Sequence, residues 1–219
     1  MTIFHHLDDS TILRYASGDL DEGFSVVVAS HLAMCETCRK AVRLAEEVGG
    51  HLLEESEPET VSAAEIDHMM AALDRAPGFA ATPVAKADEE PGDVPLPLRR
   101  YIGRDLAAVK WKTVAPGIRR HRIELSTRSS SALYMLHIAP GKAVPEHGHG
   151  GSEMTLILSG SYRDDLGRFG PGDVADLDEH VEHQPIVDSD VPCICLVTTE
   201  APTRFKSVIS KLLQPLIGI

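Results

Sequence analysis

Residues 141–160 read GKAVPEHGHGGSEMTLILSG, and within them His147, His149 and Glu153 stand in the frame G-x5-H-x-H-x3-E-x6-G. Along a strand, residues two apart point the same way, so His147 and His149 face one side together. Gly148, Gly150 and Gly151 allow a tight turn that brings Glu153 back on the next strand. Three donors then converge on one point inside a barrel. A neutral or anionic nitrogen and oxygen set of this kind suits zinc, iron, manganese or nickel.

The surrounding sequence agrees with a barrel. Short apolar segments, Leu133 to Ala139, Met154 to Leu158, Val174 to Leu177 and Ile194 to Thr198, are separated by regular Gly and Pro turn signals, the pattern of an antiparallel sandwich or barrel. The 141–160 stretch resembles the first motif of the cupin family, and Phe169-Gly170-Pro171-Gly172-Asp173 resembles the turn of its second motif. The resemblance implies a jelly-roll barrel over residues 99–219 and His183, ten positions after Asp173, as the fourth ligand. That spacing is looser than the commonest form, and His180, otherwise a surface loop histidine, competes for the role.

The first 75 residues have a different character. Asp8, Asp9 and Ser10 can cap a first helix containing Ile12, Leu13 and Tyr15, which Gly18 and Asp19 end. A second apolar stretch covers Leu20 to Met34. A third helix is expected from Glu36 to Leu53, with Ala41, Leu44, Ala45 and Val48 spaced for one buried face. Ser62 with Glu65 is a capping box for a fourth helix through Ile66, Met69, Met70 and Leu73, with Met69 expected in the core. The fold class is therefore α + β in separate domains: a small four-helix bundle over 1–75, a linker over 76–98 containing five prolines, and the barrel over 99–219.

The bundle carries its own donors. His31, Cys35 and Cys38 form H-x3-C-x2-C, and on a helix His31 and Cys35 share a face, with Cys38 closing the set from the turn into the next helix. Tetrahedral zinc needs a fourth ligand, which the His5-His6 pair offers. A thioredoxin-like redox pair would need a strand before the cysteines, whereas helical sequence lies on both sides. Metal here would contribute folding free energy directly.

Charge and hydropathy narrow the function classes. Residues 1–75 hold fifteen acidic and five basic side chains, a net of −10, and residues 99–219 hold fifteen basic and fourteen acidic ones. Neither half suits direct nucleic-acid binding. No apolar run reaches the ~18 residues that a membrane span needs. The first residues, MTIFHHLDDS, lack a basic and then apolar leader, which points to the cytoplasm.

The acidic helical segment with H-x24-H-x3-C-x2-C, followed by a linker and a cupin, resembles the ChrR-type zinc-dependent anti-sigma factors over nearly the whole chain. The resemblance implies zinc on His6, His31, Cys35 and Cys38, zinc or another divalent metal on His147, His149, Glu153 and His183, and an extracytoplasmic-function sigma factor as the partner, kept from RNA polymerase. It also implies release under oxidative or singlet-oxygen stress through the cupin, and no enzymatic activity. The alternative is a cupin dioxygenase or isomerase with a helical dimerisation module. Cys193 and Cys195 share a strand face, as a redox pair or as small core residues. His51, His68, His121 and His137 lack a partner at metal spacing, and Trp111 is expected to pack between the linker's end and the barrel.

Overall fold

The computed structural model describes residues 2–75 and 92–201, with the backbone of 204–205. Five helices come first: α1 (Asp9–Ala16), α2 (Glu22–Met34), α3 (Glu36–Glu54), α4 (Ala63–Arg75) and α5 (Leu96–Ile102). The strands follow as β1 (Lys112–Ala115), β2 (Ile118–Ile123), β3 (Ala132–Ile138), β4 (His147–Gly148), β5 (Glu153–Ser159), β6 (Tyr162–Asp164), β7 (Gly167–Phe169), β8 (Val174–Leu177), β9 (Glu182–His183), β10 (Ile186–Val187), β11 (Cys193–Thr199) and β12 (Arg204–Phe205). They form a six-stranded sheet in the order β1-β2-β3-β11-β5-β8 and two three-stranded sheets, β10-β6-β7 and β12-β4-β9, with every pairing antiparallel.

By packing, the chain divides into two compact units, Met1–Glu46 with Gly92–Ile219, and Glu47–Pro91. In the first unit β3, β5 and β11 of the large sheet are buried on both faces, so they read as continuous hydrophobic runs rather than alternations. Leu133, Met135, Met154, Leu156, Leu158 and Leu196 lie in one buried cluster with Phe24, Val27 and Val28 of α2. The intervening residues Tyr134, Leu136, Ile138, Ile157, Cys193, Cys195 and Val197 fill the barrel interior. Burying Leu, Met or Phe side chains of this size is worth about 1.5–3 kcal/mol each. The helices of this unit and the barrel therefore share one core.

Close approach of α2 to the sheet depends on Gly23, where a Cβ would lie 2.5 Å from Thr198 Oγ1 and against Ser131 Oγ. Asp21 caps α2 by accepting from the Gly23 N–H at 3.3 Å. Its carboxylate also takes Ser129 Oγ at 2.5 Å, the Ser130 N–H at 2.9 Å and the Ser131 hydroxyl. Burial would raise this carboxyl, but the hydrogen bonds outweigh it and hold it well below the usual range.

Three expectations change. On α3 the buried positions are Cys38 and Val42, while Leu44 and Val48 are 63% and 53% exposed. On α4 the Ser62–Glu65 capping box forms, Ser62 N–H reaching Glu65 Oε2 at 2.8 Å and Glu65 N–H reaching Ser62 Oγ at 3.2 Å. Yet no α4 residue is buried, and Met69 is 58% exposed rather than in the core. Helical period shows which residues share a face, not whether anything covers it. The bundle count also grows to five helices, because Pro95 and Pro97, read as linker signals, open α5, where missing N–H groups are harmless. Leu98 of α5 is fully buried. Residues 76–91 of the expected linker lie outside the described residues.

Candidate metal centres

In the barrel, β4 pairs with β9 so that His147 stands directly opposite His183. Their Nε2 atoms are 3.1 Å apart. His149 follows two residues after His147, and Glu153 opens β5, with its Oε2 3.3 Å from His149 Nδ1 and its Oε1 3.9 Å from His183 Nε2. One donor atom from each of the four lies within 4.8 Å of all the others, and all four side chains are buried. His180, the competing candidate, is exposed beside Glu179.

Outward partners set the tautomers. His147 Nδ1 lies 2.8 Å from the Pro145 carbonyl and His183 Nδ1 lies 2.9 Å from Asp164 Oδ2, so both rings donate outward and turn a bare Nε2 toward the cluster. Two bare nitrogens facing each other, with His149 Nε2 buried and without a hydrogen bond and its Nδ1 turned to Glu153, make a donor set suited to a cation. Burial pushes the His147 pKa down. Burial would raise Glu153, but the His149 imidazole, and then His147 and His183, hold it below the usual range. His147 and Glu153 are thus held in the deprotonated forms that metals need. A cavity of about 40 Å³ adjoins the cluster, lined by Tyr134, Leu136, Ile138, Tyr162 and Val197 among others. The Tyr162 hydroxyl is buried there without a hydrogen-bond partner. Cys193 and Cys195 are free and buried, and a hydrogen bond with the Cys193 thiol together with burial pushes the Cys195 thiol well above its usual value.

The second group stands at the helices. His31 lies on the last turn of α2, Cys35 is its C-terminal cap, Cys38 lies on the first turn of α3, and His6 lies in the segment before α1. His6 Nδ1 is 3.3 Å from Cys35 Sγ and 3.6 Å from Cys38 Sγ. The four donor atoms again fall within 4.8 Å, with only His6 exposed. His31 Nδ1 bonds the Gly172 carbonyl at 2.9 Å, and its Nε2 is buried without a partner. Burial pushes His31 down to about 4 and Cys38 up to about 11. A cation bound here would displace the Cys38 proton, and the Cys2His2 set fits a tetrahedral thiolate-binding ion.

Sequence reading missed the groups behind the donors: Asp164, the Pro145 and Gly172 carbonyls, and the side chain of Asp173. Asp164 lies 19 positions from His183 and Gly172 lies 141 positions from His31, so no local spacing marks them. The set-aside histidines join neither cluster; His51 is exposed beside Glu54, and His121 bonds the Lys110 carbonyl. His137 lies against the edge of Trp111 at 5.3 Å, which places the tryptophan on the sheet.

Comparison with known proteins agrees with both halves of the chain. Residues 100–202 match the family of the ChrR cupin-like domain. Anti-sigma-E factor ChrR of Cereibacter sphaeroides is 42% identical over 219 residues, all of both chains. A crystal structure of Rhodobacter sphaeroides SigE in complex with the anti-sigma ChrR is 39% identical, with a TM-score of 0.74, covering 90% of this chain and 100% of that one. The chain belongs to the ChrR family of anti-sigma factors.

Proposed function

We propose that this protein binds a SigE-type extracytoplasmic-function sigma factor through residues 1–75 and keeps it from RNA polymerase in the cytoplasm. The carrying observation is a pair of uncovered apolar helix faces, each taken by itself. Leu44, Val48 and Leu52 recur every four residues along α3, and Ile66, Met69, Met70 and Leu73 share a face of α4, all between 48% and 68% exposed. Contiguous apolar positions exposed along a helix mark a surface that a partner covers. The net charge of −10 over residues 1–75 complements a basic partner surface. The full-length relative, named as an anti-sigma factor, and the complex of ChrR with SigE support the same reading.

In this reading zinc held by His6, His31, Cys35 and Cys38 fixes the geometry of α1, α2 and the start of α3. A second divalent ion, zinc or one of iron, manganese and nickel, sits on His147, His149, Glu153 and His183. The barrel site takes the releasing signal, of which oxidative stress, singlet oxygen included, is the class. His147 and His183 keep bare nitrogens inward, Glu153 keeps its charge, and the apolar lining limits water at the site. No described helix is long and apolar enough to cross a membrane.

The test is transcription by RNA polymerase charged with a SigE-like sigma factor of the same genome. Adding this protein in stoichiometric amount should abolish sigma-dependent transcripts, with a one-to-one complex on gel filtration. Undiminished transcription, and no complex with any such sigma factor, would refute the reading.

A further inference from the structure

The extended segment Phe4–His6 has little packing of its own: Phe4 is 74% exposed, and His6 meets the two sulfurs. Its backbone is instead held by the barrel. Asp173 Oδ1 accepts the Phe4 N–H at 2.6 Å and the His5 N–H at 2.9 Å, while its Oδ2 accepts the Gly170 N–H at 2.8 Å. The Val174 N–H reaches the His5 carbonyl at 3.4 Å, and the His5 ring stacks on Phe169 with centroids 4.0 Å apart. One residue before Asp173, Gly172 offers its carbonyl to His31. Gly172 has φ +88°, a conformation that favours glycine, so the carbonyl's direction is built into the turn. Two of the four donors at the helices, His6 and His31, are therefore oriented by five consecutive barrel residues, 169–173.

The same turn is tied to the strand that carries a barrel donor. The Gly172 N–H donates to the Ile157 carbonyl at 2.8 Å, and the Ile157 N–H donates to the Asp173 carbonyl at 3.1 Å. Ile157 lies on β5, which begins at Glu153, and Glu153 pairs with Leu177 of β8 just beyond the turn.

We propose that the 169–173 turn is the outer shell of the helical metal site: Gly172 fixes the tautomer and ring plane of His31, and Asp173 is a positioning residue that holds the segment presenting His6. The helical site grips its metal fully only while the barrel turn is in place, so a rearrangement along β5 or β8 loosens it. This rests on the reading of His6, His31, Cys35 and Cys38 as a metal site. Outer-shell partners of metal-bound histidine are commonly worth 10–100-fold in metal affinity.

The experiment is a cobalt(II) titration of the full-length protein and its variants, followed by the thiolate-to-cobalt charge-transfer absorption, which only the cysteine-containing site produces. Asp173→Ala should weaken cobalt binding at that site about 10–100-fold. Asp173→Asn, which keeps one acceptor oxygen for the Phe4 and His5 N–H groups, should recover most of the affinity. Val187→Ala opens a cavity in the barrel core without removing any of the Asp173 hydrogen bonds, and should leave the titration unchanged. Wild-type affinity in Asp173→Ala, or an equal loss in Val187→Ala, would overturn the proposal while leaving the metal site standing. Absence of the charge-transfer band in the unmodified protein would overturn both.

Discussion

His183 and Asp164 form a buried pair, imidazole Nδ1 to carboxylate oxygen at 2.9 Å, with side chains 2% and 0% exposed. The carboxylate fixes which ring nitrogen carries the proton and therefore which one faces the cluster. Asp164→Ala should reduce metal retention at the barrel site about 10–100-fold, read as metal content after dialysis against a chelator. The same dialysis should leave the cysteine-bound ion in place. Loss of both metals together would contradict an effect local to His183.

The exposed α4 face makes a separable claim. Met69→Ser with Leu73→Ser should leave stability within about 0.5 kcal/mol, because neither side chain is buried. Sigma affinity should fall at least about tenfold, since each lost apolar contact is worth on the order of 1–2 kcal/mol. Unchanged affinity in a binding titration would move the contact elsewhere.

Gly23 is where α2 meets the sheet. Gly23→Ala places a methyl group against Ser131 and Thr198 and should cost about 1–3 kcal/mol, seen as a lower urea midpoint with unchanged slope. An unshifted midpoint would mean that α2 is free to back away from β3 and β11.

Asp176, a member of neither metal group, supplies a pH test. Burial raises its pKa above the ordinary carboxylate value, against the hydrogen bonds from Thr11 and the Asp8 N–H. A raised carboxyl binds its proton more tightly in the folded state, so it destabilises at neutral pH and stops doing so as pH falls through its folded value. Asp176→Asn should therefore raise Tm at pH 7, with the advantage shrinking toward acid pH. A gain of the same size at every pH would assign the effect to packing.

Much of this was legible beforehand because it is local. The H-x-H-x3-E frame needs only strand alternation and one turn, and H-x3-C-x2-C needs only a helix end, so those six donors could be read from spacing alone. His6 and His183 needed the family pattern, since each is far from its companions in sequence. Covering was not legible. Leu44 and Val48 have helical period whether or not they are buried, and Pro95 and Pro97 look alike in a linker and at the start of α5. Nor could the apolar strands disclose that α2 would be what lies on their outer face. The groups orienting the imidazoles, Asp164, Gly172 and Asp173, are set by tertiary contact alone.

The most direct test joins metal content to partner binding in His31→Ala/Cys35→Ala. The unmodified protein should carry two metal ions and co-purify with its SigE-like sigma factor; the variant should carry one ion, at the barrel, and lose the sigma factor. A variant that still binds the sigma factor as tightly as the unmodified protein, or an unmodified protein with a single ion indifferent to these substitutions, would contradict the account.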